Sequence, residues 1–153
     1  MERKIVWLMA QGVVGVAWRG RLTGQDLATA LHDIYADSRW HDGFSTVWVY
    51  DELQALEVTP ADVEAIYRVE IAQTSEASTG ADVAVVRREL DAMMAQLFIA
   101  MAERHLQIAR PKGFGRSIEE ALASVGLDSA MATPLRQALA QSNWTSAHQK
   151  QAS

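Results

Sequence analysis

Three carboxylates, Asp51, Glu52 and Glu57, crowd one short stretch of the chain, with Thr59 and Asp62 just beyond them. Paired carboxylates can act as acid and base or hold a hard cation. No metal-ligand spacing and no nearby nucleophile accompanies them here. Solvated loop charges and turn hydrogen bonds explain them with less. Thr59 could accept a phosphate, because a helix N-terminus stabilises added negative charge. The same hydroxyl is also the natural cap of the helix that Pro60, Ala61 and Asp62 begin, and capping accounts for the whole Thr-Pro-Ala-Asp run.

The other reactive side chains are scattered. His32, His41, His105 and His148 never pair at metal-ligand spacing, and there is no cysteine, so no metal site and no thiolate chemistry is expected. No Gly-x-Ser-x-Gly elbow supports nucleophilic catalysis. Gly113-Phe114-Gly115-Arg116-Ser117 could cradle a phosphate, but it lacks the Gly-Lys-Ser/Thr ending of a nucleotide loop and reads as a turn followed by a helix cap. Two sets of apolar residues could line a ligand pocket: Trp48 and Tyr50 on a strand, and Met94 and Phe98 on a helix. The simpler reading of Met93, Met94, Phe98 and Met101 is the core stripe of that helix. No catalytic residue and no cofactor is assigned.

Composition sets limits on partners and location. The chain has 153 residues, 49% of them hydrophobic, and a formal net charge of −5 with both signs interleaved. That is enough apolar material for one well-cored domain. No basic patch points to nucleic acid. The apolar run Ile5–Met9 is too short for a signal peptide, and no stretch approaches the ~20 residues of a membrane span. A cytoplasmic protein is expected.

The elements follow from local signals. Lys4–Met9 and Val13–Arg19 are apolar strands joined through Gln11-Gly12, a hairpin. Gly15, inside the second strand, marks a bulge or a close helix contact. Thr23 and Asp26 form a capping box for a helix with Leu27, Ala30, Leu31, Ile34 and Tyr35 on one face, ending near Asp37. Thr46–Tyr50 is a strand apolar on both faces, and a loop from Asp51 to Thr59 follows it. The next helix carries Val63, Ile66, Tyr67 and Ile71 on its apolar stripe. Gln73–Gly80 is a loop, and Ala81–Val86 a fourth strand. Arg87–Arg104 is a helix with Leu90, Met93, Met94, Leu97, Phe98 and Met101 at core spacing. Leu106–Ala109 is a short fifth strand. Ser117 and Glu120 start a helix closed by Gly126. The fold class is therefore α/β: a five-stranded, mixed, mostly parallel sheet opened by a β-hairpin and covered by about four helices. Residues 1–127 form the domain. Residues 128–153 form a tail with one short helix, polar and frayed beyond Gln141.

The hairpin, Leu22-Thr23-Gly24-Gln25-Asp26-Leu27, Val47-Trp48-Val49-Tyr50-Asp51 and Val58-Thr59-Pro60-Ala61-Asp62 together resemble the STAS-like, SpoIIAA-like family of small bacterial proteins. Ala81–Val86, the helix through Met93 and Phe98, and Ser117–Leu122 fit the same pattern. The family includes anti-sigma-factor antagonists and, more distantly in shape, Sec14-type lipid-binding domains. The resemblance spans residues 4–127 and implies a STAS-like sheet and a regulatory or binding role without catalysis. The antagonists carry a phosphorylatable serine in an Asp-Ser-Ser-Gly-like loop. Here that place reads Glu57-Val58-Thr59-Pro60. Only Thr59 offers a hydroxyl, so the resemblance does not by itself carry over a phospho-switch.

Two functions emerge. The first is a non-enzymatic regulatory or protein-interaction module that meets its partner through Asp51, Glu57, Thr59 and Asp62. The alternative is a carrier of a small apolar or lipid-like ligand, in a pocket between sheet and helices lined by Trp48, Tyr50, Met94 and Phe98. A homodimer fits either, because Leu135, Leu139 and Trp144 of the tail need cover from the body or from a second copy.

Overall fold

The computed structural model describes residues 1–73, 79–105 and 110–146. Strands β1 (Glu2–Leu8) and β2 (Val13–Thr23) form the opening hairpin. Its turn closes at Gly12, whose φ of 65° suits a residue without a Cβ. Helix α1 (Gly24–Ala36) begins at Thr23, whose side chain accepts from the Asp26 N–H while the Asp26 carboxylate accepts from the Thr23 N–H. Then come β3 (Ser45–Glu57), α2 (Pro60–Gln73), β4 (Asp82–Val85), α3 (Glu89–His105), β5 (Lys112–Gly115), α4 (Ile118–Ser124), α5 (Ala132–Gln141) and the two-residue β6 (Thr145–Ser146).

The sheet runs β5-β4-β3-β2-β1-β6. Strands β2 to β5 are mutually parallel; β1 is antiparallel to both of its neighbours. This is the mixed, mostly parallel sheet opened by a hairpin that the sequence implies, with one more short strand than expected and with the short tail helix as α5. Alternation along the strands sorts the core into two layers. Val47 and Val49 of β3 and Val83 and Val85 of β4 face α4 and α5, joined by Ile118, Ala121, Leu122, Leu135 and Leu139. Val14, Val16 and Trp18 of β2 and Trp48 of β3 face Leu27, Leu31 and Ile34 of α1. Helices α2 and α3 continue that second layer.

Several expectations need correction. Strand β3 does not stop at Tyr50. It continues through Glu57, paired with Arg19–Thr23 of β2 across two register shifts, so most of the expected loop after Asp51 is strand. Lys112–Gly115, read as a turn, is β5; the strand expected at Leu106–Ala109 lies outside the described residues, as does most of the expected loop at Gln73–Gly80. The stripe on α3 is rotated. Leu90 and Met93 are 67% and 61% exposed and Leu97 is exposed too, while Ala92, Ala95 and Asp91 are buried. Small alanines let the helix approach the sheet, and Arg88 pairs with the buried Asp91 carboxylate through two nitrogens. On α2, Ile71 is exposed and Glu70 takes its place on the buried face.

The tail helix is part of the core. Leu135 is fully buried, and Gly15 of β2 makes room for it: a Cβ there would collide with the Leu135 side chain. The body covers Leu135 and Leu139, and Trp144 lies against Lys4 and Arg19, each 4.6 Å from its ring. Residues 147–153, including His148, lie outside the described residues. Among the described residues no helix is long and apolar enough to cross a membrane.

Candidate functional site

Period-two alternation on β3 turns Thr46, Trp48 and Tyr50 toward α1, α2 and α3. Asp82 and Ala84 of β4 face the same way. On α2, Val63, Tyr67 and Glu70 share a face at helical spacing; on α3, Asp91, Ala95 and Phe98 do the same. These faces do not close on one another. They enclose a half-open cavity of about 130 Å³, with walls that include Leu27, Leu31, Trp48, Tyr50, Ala95 and Phe98. The Tyr67 hydroxyl donates to the Phe98 carbonyl at 2.8 Å and ties α2 to α3 across it.

At one side of this apolar space lies a cluster of four charges from three elements and the turn before β5. Glu70 of α2, Asp82 of β4 and Lys112 of β5 all line the cavity. The Lys112 ammonium donates to both carboxylates. Arg110, only 1% exposed, holds Asp82 from behind through Nη2 at 2.9 Å and also donates to the Phe44 carbonyl at 2.8 Å. The Thr46 hydroxyl donates to Asp82 and accepts from Trp48 Nε1 at 3.1 Å. Asp82 is thus the hub of a buried network that also fixes one wall of the cavity.

The two carboxyls are driven in opposite directions. Burial pushes Glu70, 4% exposed, up to about 8, and the neighbouring Asp82 charge adds to that, against the pull of Lys112. Burial alone would raise Asp82 as well, but Lys112 and Arg110 outweigh it and hold Asp82 well below the usual carboxylate range. Burial also raises the hydroxyls of Tyr35, Tyr50 and Tyr67, which stay neutral.

Of the candidate pocket residues, Trp48, Tyr50 and Phe98 line this cavity; Met94 is half-buried on α3 and is not among its lining residues. Of the four regulatory candidates only Thr59 and Asp62 meet. Asp51 faces the opposite side of the sheet, in a cleft of about 230 Å³ with Glu52, Arg87, Arg136 and Trp144, and pairs with Arg87 at 3.1 Å. Burial pushes the Asp51 carboxyl above its ordinary value, making it a weaker acid, and Arg87 opposes this. Glu57 pairs with Arg21 of β2. The Thr59 hydroxyl accepts from the Asp62 N–H at 3.2 Å and the Asp62 carboxylate accepts from the Thr59 N–H at 2.8 Å, a reciprocal helix cap. Asp51, Glu57 and Thr59 therefore hold three different partners and share no cavity.

Sequence reasoning missed Glu70, Asp82, Arg110 and Lys112. A faint signal was present: Glu70 continues the Val63–Tyr67 stripe by one turn, and Asp82 opens an otherwise apolar strand. His32 and His41 are exposed, and the side chain of His105 lies outside the described residues. Among the described residues no three His, Asp or Glu side chains gather as a metal site.

No family model and no curated protein matches the sequence. Among solved structures, the chain is similar to the anti-sigma factor antagonist SpoIIAA in its unphosphorylated form, with a TM-score of 0.47 and 11% identity over 80% of this chain and 96% of that one.

Proposed function

We propose that the protein binds a small, largely apolar molecule in the cavity between the sheet and helices α1, α2 and α3, without catalysis. One observation carries this reading. On the face under α4 and α5 the space left beside the packed side chains is a cleft bordered by Asp51, Glu52, Arg87 and Arg136, whereas the face under α1 to α3 keeps an apolar space with its ordered charges at one side. Apolar walls with a few convergent polar groups are the usual make-up of a ligand site. The volume favours a compact body over a long acyl chain, since an apolar cavity of about 150 Å³ takes benzene. Native mass spectrometry of protein purified without detergent tests it, alongside Ala95→Phe, which fills the space. A bound small molecule in the parent and none in the variant is the expected result. Equal ligand content in both would remove the cavity as its site.

A second reading, a regulatory module that docks a protein, is favoured by a different feature. Beyond Val49, strand β3 outruns β4, so among the described residues Asp51–Glu57 pair with a strand on one side only. Such an edge can take an added strand. Arg88 Nη1 already donates to the Gln54 carbonyl there at 3.2 Å. Crosslinking from residues 51–59 to a native partner would support this reading. Gln54→Pro leaving that partner bound would contradict it.

A further inference from the structure

Most polar side chains on the cavity wall are already committed to one another. Lys112 donates to Glu70 and to Asp82, and Arg110 holds Asp82 from behind. Asp91 accepts from two nitrogens of Arg88. Trp48 Nε1 donates to the Thr46 hydroxyl, and the Tyr67 hydroxyl donates to the Phe98 carbonyl. Tyr50 lines the same cavity, and among the described residues its hydroxyl has no hydrogen-bond partner.

The strand puts Tyr50 there. It follows Trp48 by two residues on β3, so both side chains project toward α1 to α3. Its ring packs against the cluster that includes Ala92 and Ala95 of α3. Burial disfavours the phenolate, and the charges of Asp82 and Asp91, both on the cavity wall, disfavour it further, so the hydroxyl is neutral. A hydroxyl in apolar surroundings forgoes the hydrogen bond that water would give it. An oxygen on an incoming molecule can restore that bond.

The matched charges set a second condition. Among the described residues the wall offers a charged ligand no uncommitted counter-ion, and burying an unpaired charge costs far more than burying a hydroxyl. We propose that the cavity takes an uncharged, ring-sized molecule carrying one oxygen, which shares a hydrogen bond with the Tyr50 hydroxyl. This rests on reading the cavity as a ligand site. The size follows from the volume of about 130 Å³, close to the space that takes benzene.

NMR titration of the full chain with phenol and with toluene, molecules of nearly equal size, tests the hydrogen bond. Both should shift the Trp48 indole and the Ala95 methyl at about pH 7, where a phenol is uncharged. Tyr50→Phe keeps the ring and removes only the hydroxyl. It should weaken phenol about tenfold, the scale of a buried hydrogen bond left unmade, and leave toluene unchanged. Benzoate and benzylammonium should bind at least about tenfold more weakly than phenol. A phenol-to-toluene affinity ratio that is the same in the parent and in Tyr50→Phe would overturn the hydrogen bond and leave the apolar site standing. Benzoate or benzylammonium binding as tightly as phenol would overturn the uncharged class. Neither phenol nor toluene binding to the parent would overturn the ligand site itself.

Discussion

The two faces of the sheet differ in kind. Under α4 and α5 the side chains are Val47, Val83, Ala121, Leu122, Leu135 and their neighbours, interlocked closely enough that Gly15 must lack a side chain. Under α1 to α3 the same strands meet Trp48, Tyr50, a cavity, and four charged side chains. The first face stabilises by area removed from water. The second holds its charges only because each is matched by another, and a buried pair of this kind is weak support for stability by itself. The proposed site rests on this contrast between a packed layer and a layer that keeps buried charges beside an apolar space.

This contrast can be broken most sharply at its hub. Asp82→Asn removes the carboxylate that lies 2.9 Å from the buried Arg110 guanidinium, and loss of one partner of a buried pair costs about 3–5 kcal/mol. Denaturant unfolding should show that loss, together with collapse of the cavity. A comparable effect on the packed face needs a large cavity instead: Leu135→Ala should cost about 2–5 kcal/mol, yet leave ligand binding across the sheet unchanged.

A finer distinction lies in pH. Glu70 binds its proton more tightly folded than unfolded, since its value rises from 4.5 to about 8. Its contribution to stability is therefore complete below about 4.5 and is lost as pH rises toward about 8. Asp82 works the other way: its contribution is present above 3.8 and disappears as pH falls below that. Urea midpoints should fall as pH drops below 3.8 and fall again as pH rises from about 4.5 to about 8, and Glu70→Gln should flatten the upper slope. An unchanged slope in the variant would place the titrating group elsewhere.

Smaller effects belong to neither face. Thr59→Ala removes one reciprocal cap and should cost about 1 kcal/mol, read by the same unfolding experiment. Met93→Gln, on the exposed side of α3, should change stability by no more than about 0.5 kcal/mol. A larger loss would mean that α3 is packed as its apolar stripe suggests rather than as observed.

What was legible in the chain was what local chemistry dictates. Thr23 with Asp26, Thr59 with Asp62 and Ser117 with Glu120 each announce a helix within four residues, and the structure starts a helix at each. The alternation of strand and helix then implies the parallel sheet. Two elements misled for physical reasons. Asp51, Glu52, Gln54 and Glu57 look like a loop because they are polar, but they belong to a strand whose pairing with β2 the sequence does not display. On α3 the largest apolar residues lie outside, because closeness to the sheet was achieved with Ala92 and Ala95. The charge cluster was illegible for a third reason. Glu70, Asp82 and Lys112 are far apart in the chain and meet only once three elements have packed, so no spacing rule connects them. Trp48, Tyr50 and Phe98 were readable as pocket candidates, yet nothing local told them from core.

The difference between the faces is tested most directly by alanine-methyl NMR under xenon pressure, since xenon enters dry apolar cavities without needing a polar partner. Ala84 and Ala95 line the cavity; Ala121 and Ala132 are buried on the packed face. Saturating shifts at Ala84 and Ala95, with Ala121 and Ala132 unmoved, are the predicted result. Shifts at Ala121 and Ala132, or at none of the four, would contradict the assignment of the site to the α1–α3 face.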